Sequence, residues 1–381
     1  MKKILSVIVV VVVTLTQTAQ ITAFAQETDK PAVNAQACVL YCVDDGKVYF
    51  SVNENKKMKP ASTTKLMTSL ITLEYADSAD KVVAFTKDMT AEGSSMYLKV
   101  GEKVKLSDLA AGMMMVSGND AANAAAISIA GSAEKFSELM NNRAAVIGMK
   151  NTHFVTPSGL DDENHYSTAY DMALLMSYAL ENESFAKLTS QKSVTVEFSE
   201  PQSKRTTYTN HNRLLSMYEY CTGGKTGYTM AAGRCLVSSA KKDGLTFVCV
   251  TLNDRNDWND HIALYNYGFS KLACVECDDS DYYLEIPCAG GDDESIGVTG
   301  TKGKNVVVPF DKKSNVVRTA YADNFLYAPV KDGDIVGRIV YTLDGKTLAS
   351  TNLTAVEYSN TQNKNKSIWT KIKDFFTYGK E

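Results

Sequence analysis

Six residues, Pro60-Ala61-Ser62-Thr63-Thr64-Lys65, constrain this chain more than any other stretch. A polar, turn-favouring segment from Asn53 to Lys59 leads into Pro60, and an apolar run follows at Leu66, Met67, Leu70, Ile71 and Leu73. That pattern predicts a helix starting near Ser62, with proline tolerated at its entrance. Residues three apart are neighbours on a helix, so Ser62 Oγ and the Lys65 amine face each other across one turn. A serine hydroxyl is a weak nucleophile until a base takes its proton. A lysine becomes that base when burial and nearby positive charge bring its pKa down from about 10.4. The free N–H groups at the helix start suit an oxyanion. Read alone, the same spacing also describes a capping serine beside a solvated lysine. The assignment depends on what else the chain carries in order.

The chain has 381 residues, of which 44% are hydrophobic and 22% charged, so it is globular with room for two domains. A net charge of −4 gives no footprint for nucleic acid. Lys2 and Lys3 precede an apolar run from Ile4 to Leu15, and Ala23-Phe24-Ala25 is a small-x-small site before Gln26. This reads as an export signal over residues 1–25 rather than a membrane span, because Gln17, Thr18 and Gln20 interrupt the run. Export permits disulfides among Cys38, Cys42, Cys221, Cys235, Cys249, Cys274, Cys277 and Cys288, but the count fixes no pairing. Cys38 and Cys42 share one strand face about 13 Å apart, too far to bridge each other. Cys274-x-x-Cys277 has no second Cys/His pair at zinc spacing, and the four histidines are scattered. No metal or cofactor is expected, and His153 reads as structural.

Residues 37–43 and 47–51 flank Asp44-Asp45-Gly46 as a hairpin. Helical patterns follow to about Tyr75, over Leu106 to Val116, Ala121 to Ala130, Ser137 to Met149 and Tyr166 to Tyr178. Between the second and third of these lies a turn-prone tetrad, Ser117-Gly118-Asn119-Asp120, which can present Ser117 and Asn119 to a cavity. Strands are expected around Ser193 to Phe198, Thr206 to Thr209, Gly224 to Thr229, Leu236 to Ser239 and Leu245 to Leu252. Glycines beside Lys225 let a ligand approach the strand closely. The spacing is not that of a phosphate loop. A closing helix spans Asp260 to Ala273. From about residue 276 to 360, short β-runs between Gly and Asp turns read as a small β-sandwich. Ile368, Trp369, Ile372, Phe375 and Phe376 then form one apolar stripe flanked by lysines. That suits a helix over 366–381 lying in a membrane interface.

Ser62-x-x-Lys65, Ser117-x-Asn119 and Lys225-Thr226-Gly227 stand in the order found in penicillin-binding proteins and class A β-lactamases, with Gly118 where Asp is common. The chain resembles the D-alanyl-D-alanine carboxypeptidases, serine peptidases of the low-molecular-mass penicillin-binding proteins, from about residue 37 to about residue 360. Supporting stretches are Lys59 to Thr68, Ser117 to Ala125, Gly148 to Phe154, Asn210 to Leu215 and Gly224 to Gly233. Ala328 to Gly333 and Tyr341 to Gly345 are similar to the family's C-terminal β-domain.

The resemblance implies an α/β fold. A mostly antiparallel sheet with helices on both faces would carry an α-helical lobe, followed by the β-domain and the anchoring helix. It implies a peptidase domain over 37–275 whose Ser62 attacks the bond between two D-alanines of a peptidoglycan stem pentapeptide, with β-lactams as covalent inhibitors. Lys65 would be the base, Ser117 a proton relay and Asn119 an orienting group. Lys225 would hold positive potential. Thr226, Gly227 and the backbone N–H of Tyr228 would bind substrate. Tyr228 stands where many relatives have His. A second cation near the substrate carboxylate is expected. Arg255 is the favoured match and Arg213 a weaker one. The protein would work at the outer face of the cytoplasmic membrane or in the cell wall. Two rivals stand beside this reading. A class A-like β-lactamase needs a deacylating glutamate, and no Glu-x-x-Leu-Asn lies between Asn119 and Lys225. A non-catalytic wall-binding protein would need none of Ser62, Lys65 and Lys225.

Overall fold

The computed structural model describes residues 30–356 apart from 292. The expected export signal (1–25) and amphipathic helix (366–381) lie outside those residues. The described chain divides between Lys271 and Leu272 into two compact units. The sequence placed that boundary after 275. The difference is a strand, Leu272–Val275, which pairs with Val306–Pro309 of the second unit.

The first unit opens with the expected hairpin, β1 (Ala37–Cys42) and β2 (Lys47–Val52). A 3-10 turn, Ala61–Thr64, leads into α1 (Lys65–Ser78). There follow β3 (Val82–Ala84), β4 (Lys103–Lys105), α2 (Leu106–Val116), α3 (Asn119–Ala130), α4 (Ala133–Ile147), α5 (Ala169–Ala179) and α6 (Glu183–Thr189). The pair β5 (Ser193–Glu197) and β6 (Arg205–Thr209) precedes a one-turn α7 (Leu214–Met217). Then β7 (Cys221–Thr229), β8 (Gly233–Lys242), β9 (Leu245–Leu252) and α8 (Asp257–Lys271) complete the unit. Among the described residues, five strands form an antiparallel sheet in the order β2-β1-β9-β8-β7.

Side chains alternate across a strand, and both faces of this sheet are covered. Ser238 faces α8, where it meets His261 and Tyr265. Leu40 and Phe247 face the same helix, which approaches so closely that a Cβ on Gly268 would lie 2.9 Å from Phe247. Val39, Tyr41, Val237, Val248 and Val250 turn the other way and join the helices in one apolar core. Burial on both faces explains why β1 reads as a continuous apolar run rather than an alternating one.

α1 runs through the middle of this core, with every residue from Lys65 to Leu73 buried. A helix covered all round needs no one-sided stripe, and most of its hydroxyls find acceptors inside, with buried Ser69 Oγ the exception among the described residues. Thr68 Oγ1 donates to Pro157 O and Thr72 Oγ1 to Thr68 O, at 2.6 and 2.7 Å. The link between α2 and α3 is shorter than the sequence suggests. Asn119 is already the first residue of α3, so the turn is Ser117-Gly118 alone, made by Ser117 at φ 61°. The Asp120 carboxylate accepts from Ser95 Oγ, Met96 N and Leu98 N at 2.7 to 3.0 Å and pins the loop that carries them.

The second unit is all-β: β10 (Leu272–Val275), β11 (Tyr283–Ala289), β12 (Ser295–Gly300), β13 (Val306–Pro309), β14 (Val317–Ala322), β15 (Leu326–Tyr327), β16 (Ile335–Leu343) and β17 (Lys346–Ala355). Among the described residues, the expected sandwich takes the form of a six-stranded sheet, β14-β16-β17-β12-β11-β15, beside the β10–β13 ladder. Its own core gathers Ile286, Ile296, Val298, Ile339 and Leu353. Asp279 is buried in this unit and accepts from Arg318 Nε at 2.7 Å, Tyr341 OH at 2.8 Å and Thr351 Oγ1. Burial pushes its carboxyl up, but those donors outweigh it and hold the pKa below the ordinary carboxylate value.

Candidate active site

Ser62 sits in the 3-10 turn, one residue after Ala61, whose φ of 49° lies in the left-handed region. Two glycines allow this elbow to pack. A Cβ on Gly159 would lie 2.0 Å from Ala61 O, and one on Gly227 would lie 3.0 Å from Ser62 N and Thr63 N. Residues 157–160 and strand β7 therefore close on the nucleophile at backbone distance.

Lys65 is fully buried, and its Nζ lies 2.9 Å from Ser62 Oγ, 2.6 Å from Asn119 Oδ1 and 2.6 Å from Ser158 O. No carboxylate is among these partners. Burial first, then the Lys225 charge, hold its pKa well below the ordinary lysine value, against a smaller opposing pull from Asp120. A neutral amine has two N–H donors and one lone pair. Asn119 and Ser158 take the donors, which leaves the lone pair for the Ser62 hydroxyl proton. Asn119 is itself fixed, donating from Nδ2 to Glu92 O at 2.6 Å and from its backbone N to Ser94 O at 2.7 Å.

Lys225 enters from β7 and is 1% exposed, with Nζ donating to Thr226 O at 2.7 Å. Burial lowers its pKa to about 7. It comes this close because Gly224 has no side chain, where a Cβ would stand 2.3 Å from Val237 O of β8. Ser62, Ser117, Thr226, Gly227 and Tyr228 line one cleft of about 510 Å3. Tyr228 is 66% exposed, so what it offers the cleft floor is its backbone.

The structure thus brings together Ser62, Lys65, Ser117, Asn119, Lys225, Thr226, Gly227 and Tyr228. It does not bring Arg255 or Arg213, which are exposed and lie outside the cleft lining. The lining arginine is Arg234, on β8 opposite Tyr228. Its guanidinium holds Asp257 through Nε at 3.1 Å and Nη2 at 2.6 Å, over the Trp258 ring. Sequence adjacency to the end of β9 suggested Arg255. The register of the β7–β8 hairpin was the signal that could have found Arg234 instead.

Two other participants were not foreseen. Ser158 contributes a carbonyl, which no side-chain motif advertises. His165 holds that loop in place: its Nδ1 accepts from Val155 N and Thr156 N at 3.0 and 3.2 Å, and Nε2 meets Thr64 Oγ1 at 2.8 Å. Burial lowers its pKa to about 4. His153, expected to be structural, is exposed and meets Asn164 O through Nδ1. Cys38, Cys42, Cys221, Cys235, Cys249, Cys277 and Cys288 are free thiols. Cys235 lines the cleft, and burial pushes its thiol up to about 12.

A serine hydroxyl paired with a buried lysine whose pKa is held well below the ordinary value, beside a second lysine on a strand at the end of the sheet, fits a serine hydrolase that works through an acyl-enzyme. A family model described as D-alanyl-D-alanine carboxypeptidase matches residues 24–256. One described as penicillin-binding protein 5, C-terminal domain, matches 278–359. The chain is 32% identical to D-alanyl-D-alanine carboxypeptidase DacF of Bacillus subtilis over 372 residues, 94% of each protein. It is 34% identical to DacC of Escherichia coli over 362 residues, 88% of this chain and 87% of that one. The crystal structure of penicillin binding protein 5 from Haemophilus influenzae superposes with a TM-score of 0.64 at 29% identity, covering 87% of this chain and 99% of that one. The chain belongs to the D-alanyl-D-alanine carboxypeptidase family of the penicillin-binding proteins.

Proposed function

We propose that this protein is a penicillin-sensitive serine carboxypeptidase that removes the terminal D-alanine from peptidoglycan stem peptides through a Ser62 acyl-enzyme. The observation that carries the reading is the Lys65 amine, buried without a carboxylate and 2.9 Å from Ser62 Oγ. Neutral Lys65 takes the Ser62 proton as Oγ attacks the carbonyl between the two D-alanines. The developing oxyanion is met by the backbone N–H groups of Ser62 and Tyr228, which Gly227 allows to approach each other. β7 ends the sheet, so its free edge can pair with an extended peptide. Ser117 passes the proton to the leaving D-alanine amine. Thr226 and the Lys225 charge receive its carboxylate, with Arg234 and Asp257 shaping the end of the cleft. Water then hydrolyses the ester.

The β-lactamase reading is less well supported. Among the residues lining the cleft the one carboxylate is Asp257, and Arg234 holds it. Residues 1–25 serve as an export signal, residues 37–275 as the peptidase and 276–360 as a β-domain. Residues 366–381 rest on the membrane surface, which places the peptidase at the outer face of the cytoplasmic membrane.

The test is D-alanine release from a peptide ending in Lys-D-Ala-D-Ala by the purified mature protein, with a penicillin-treated control. Release that penicillin blocks supports the reading. Rapid penicillin turnover without peptide cleavage overturns it in favour of the β-lactamase.

A further inference from the structure

The chain's four histidines behave differently. His153, His165 and His261 each have a ring nitrogen in a hydrogen bond within the protein. His211 does not, among the described residues, and it stands as an exposed residue in the cleft lining with Ser62, Ser117 and Thr226. Its backbone is nevertheless held. His211 N donates to Met115 O at 3.1 Å, two residues before Ser117. Asn210 Oδ1 accepts from Asn212 N at 2.9 Å, and Asn212 Oδ1 accepts from Leu214 N at 3.1 Å. A fixed backbone that carries an unpartnered imidazole into a substrate cleft is arranged for contact with the substrate.

We propose that His211 is a specificity-determining residue whose imidazole binds the terminal carboxylate of the peptide, together with Lys225 and Thr226. This rests on the carboxypeptidase reading above and deepens it. The charge balance in the cleft supports it. Arg234 is the more obvious cation, but its guanidinium is already engaged by buried Asp257. That leaves Lys225 as the lining strand's free positive charge. Partial burial and the Lys225 charge both hold the His211 ring below the ordinary histidine pKa. The end of α2 on which the loop rests, Met113-Met114-Met115-Val116, adds no titratable group; the one in that helix, Asp108, lies in its first turn. Arg213, Asn210 and Asn212 complete the loop, and Lys192 holds Asn210 N through its carbonyl alone. A carboxylate arriving beside Lys225 reverses this field and favours imidazolium. Substrate binding then takes up a proton at His211, and the contact strengthens as pH falls.

The experiment measures KM and kcat for a Lys-D-Ala-D-Ala peptide with the wild type, His211→Ala, His211→Gln and His211→Arg. Measurements are made at about pH 5.5 and about pH 8, either side of the ordinary histidine value. The expected result for His211→Ala and His211→Gln is a KM raised about tenfold at the lower pH and about twofold or less at the higher, in keeping with the loss of a charge-assisted hydrogen bond. kcat moves less than KM. His211→Arg restores a low KM at both. Calorimetry of the intact peptide binding to the Ser62→Ala protein, in two buffers of different ionisation enthalpy, reads proton uptake without turnover. Lys225 titrates at about 7 and takes up part of any proton bound with the carboxylate, so uptake that falls when His211→Ala is added, with the Lys225 share remaining, supports the proposal. A KM in the Ala and Gln variants that equals the wild type at both pH values overturns it, as does proton uptake that the substitution leaves unchanged. Wild type that binds the peptide but releases no D-alanine counts against the carboxypeptidase reading, while the calorimetric arm still decides His211.

Discussion

Each of the two units buries an ionisable group, and each treats its charge in the opposite way. In the second unit Asp279 is surrounded by donors, Arg318, Tyr341 and Thr351, so its charged form is the favoured one. In the first unit Lys65 and Lys225 are buried among neutral oxygens and each other, with no carboxylate among the described residues in hydrogen-bond contact. Both lysines are driven towards the neutral amine. A satisfied buried charge holds a fold together. An unsatisfied one lowers stability and yields a base. The signs follow. Asp279 contributes stability that is lost as pH falls through its depressed folded pKa. Lys225 binds its proton less well when folded, so its cost is greatest below about 7 and fades as pH rises towards the unfolded lysine value.

The sharpest way to break this contrast is at the nucleophile. Ser62→Ala should abolish covalent labelling by penicillin, and persistent labelling would remove Ser62 from the mechanism. Lys65→Ala should slow acylation by about 10²–10⁴-fold, the usual worth of a general base. A near-normal rate, measured by stopped-flow labelling, would mean that the buried amine is structural after all. On the other side of the comparison, Asp279→Asn should destabilise the protein by about 3 kcal/mol in denaturant melts while penicillin labelling stays within about twofold. Loss of labelling at unchanged stability would reverse the roles assigned to the two groups. The mildest effect is in the pH profile. kcat/KM should fall above about 7 as free Lys225 loses its proton, and Lys225→Arg should move that limb upwards because a guanidinium stays charged. An alkaline limb that ignores the Arg substitution would assign it to another group.

The three motifs that meet at the cleft were legible because each is local. Ser62 and Lys65 lie on one turn, Ser117 and Asn119 on one helix junction, and Lys225 to Tyr228 on one strand. Their order was enough to place them around a common cleft. The hairpin at Asp44-Asp45-Gly46 and the bounds of α2 were legible for the same reason. What escaped is contributed across the fold. The Ser158 carbonyl is one of many backbone oxygens until Lys65 reaches it. Arg234 and Arg255 both stand near the ends of core strands, and only strand register separates the one beside Tyr228 from the one in solvent. His211 sits in a loop with no signature, and its place follows from a hydrogen bond to the end of α2. The start of α3 moved by two residues because Asn119 finds its backbone acceptor in Ser94, far away in sequence.

The scarcity of carboxylates in the cleft has a consequence for how long an inhibitor stays. After a peptide is cut, free D-alanine departs and opens a path for water. A penicillin has its leaving amine tied to the acyl group by its own ring, so nothing departs. With Asp257 held by Arg234, no lining carboxylate among the described residues is left over to drive water into the ester. The bond that is a brief station in peptide trimming then becomes a dead end, and the protein is silenced stoichiometrically, one molecule of antibiotic for each cleft.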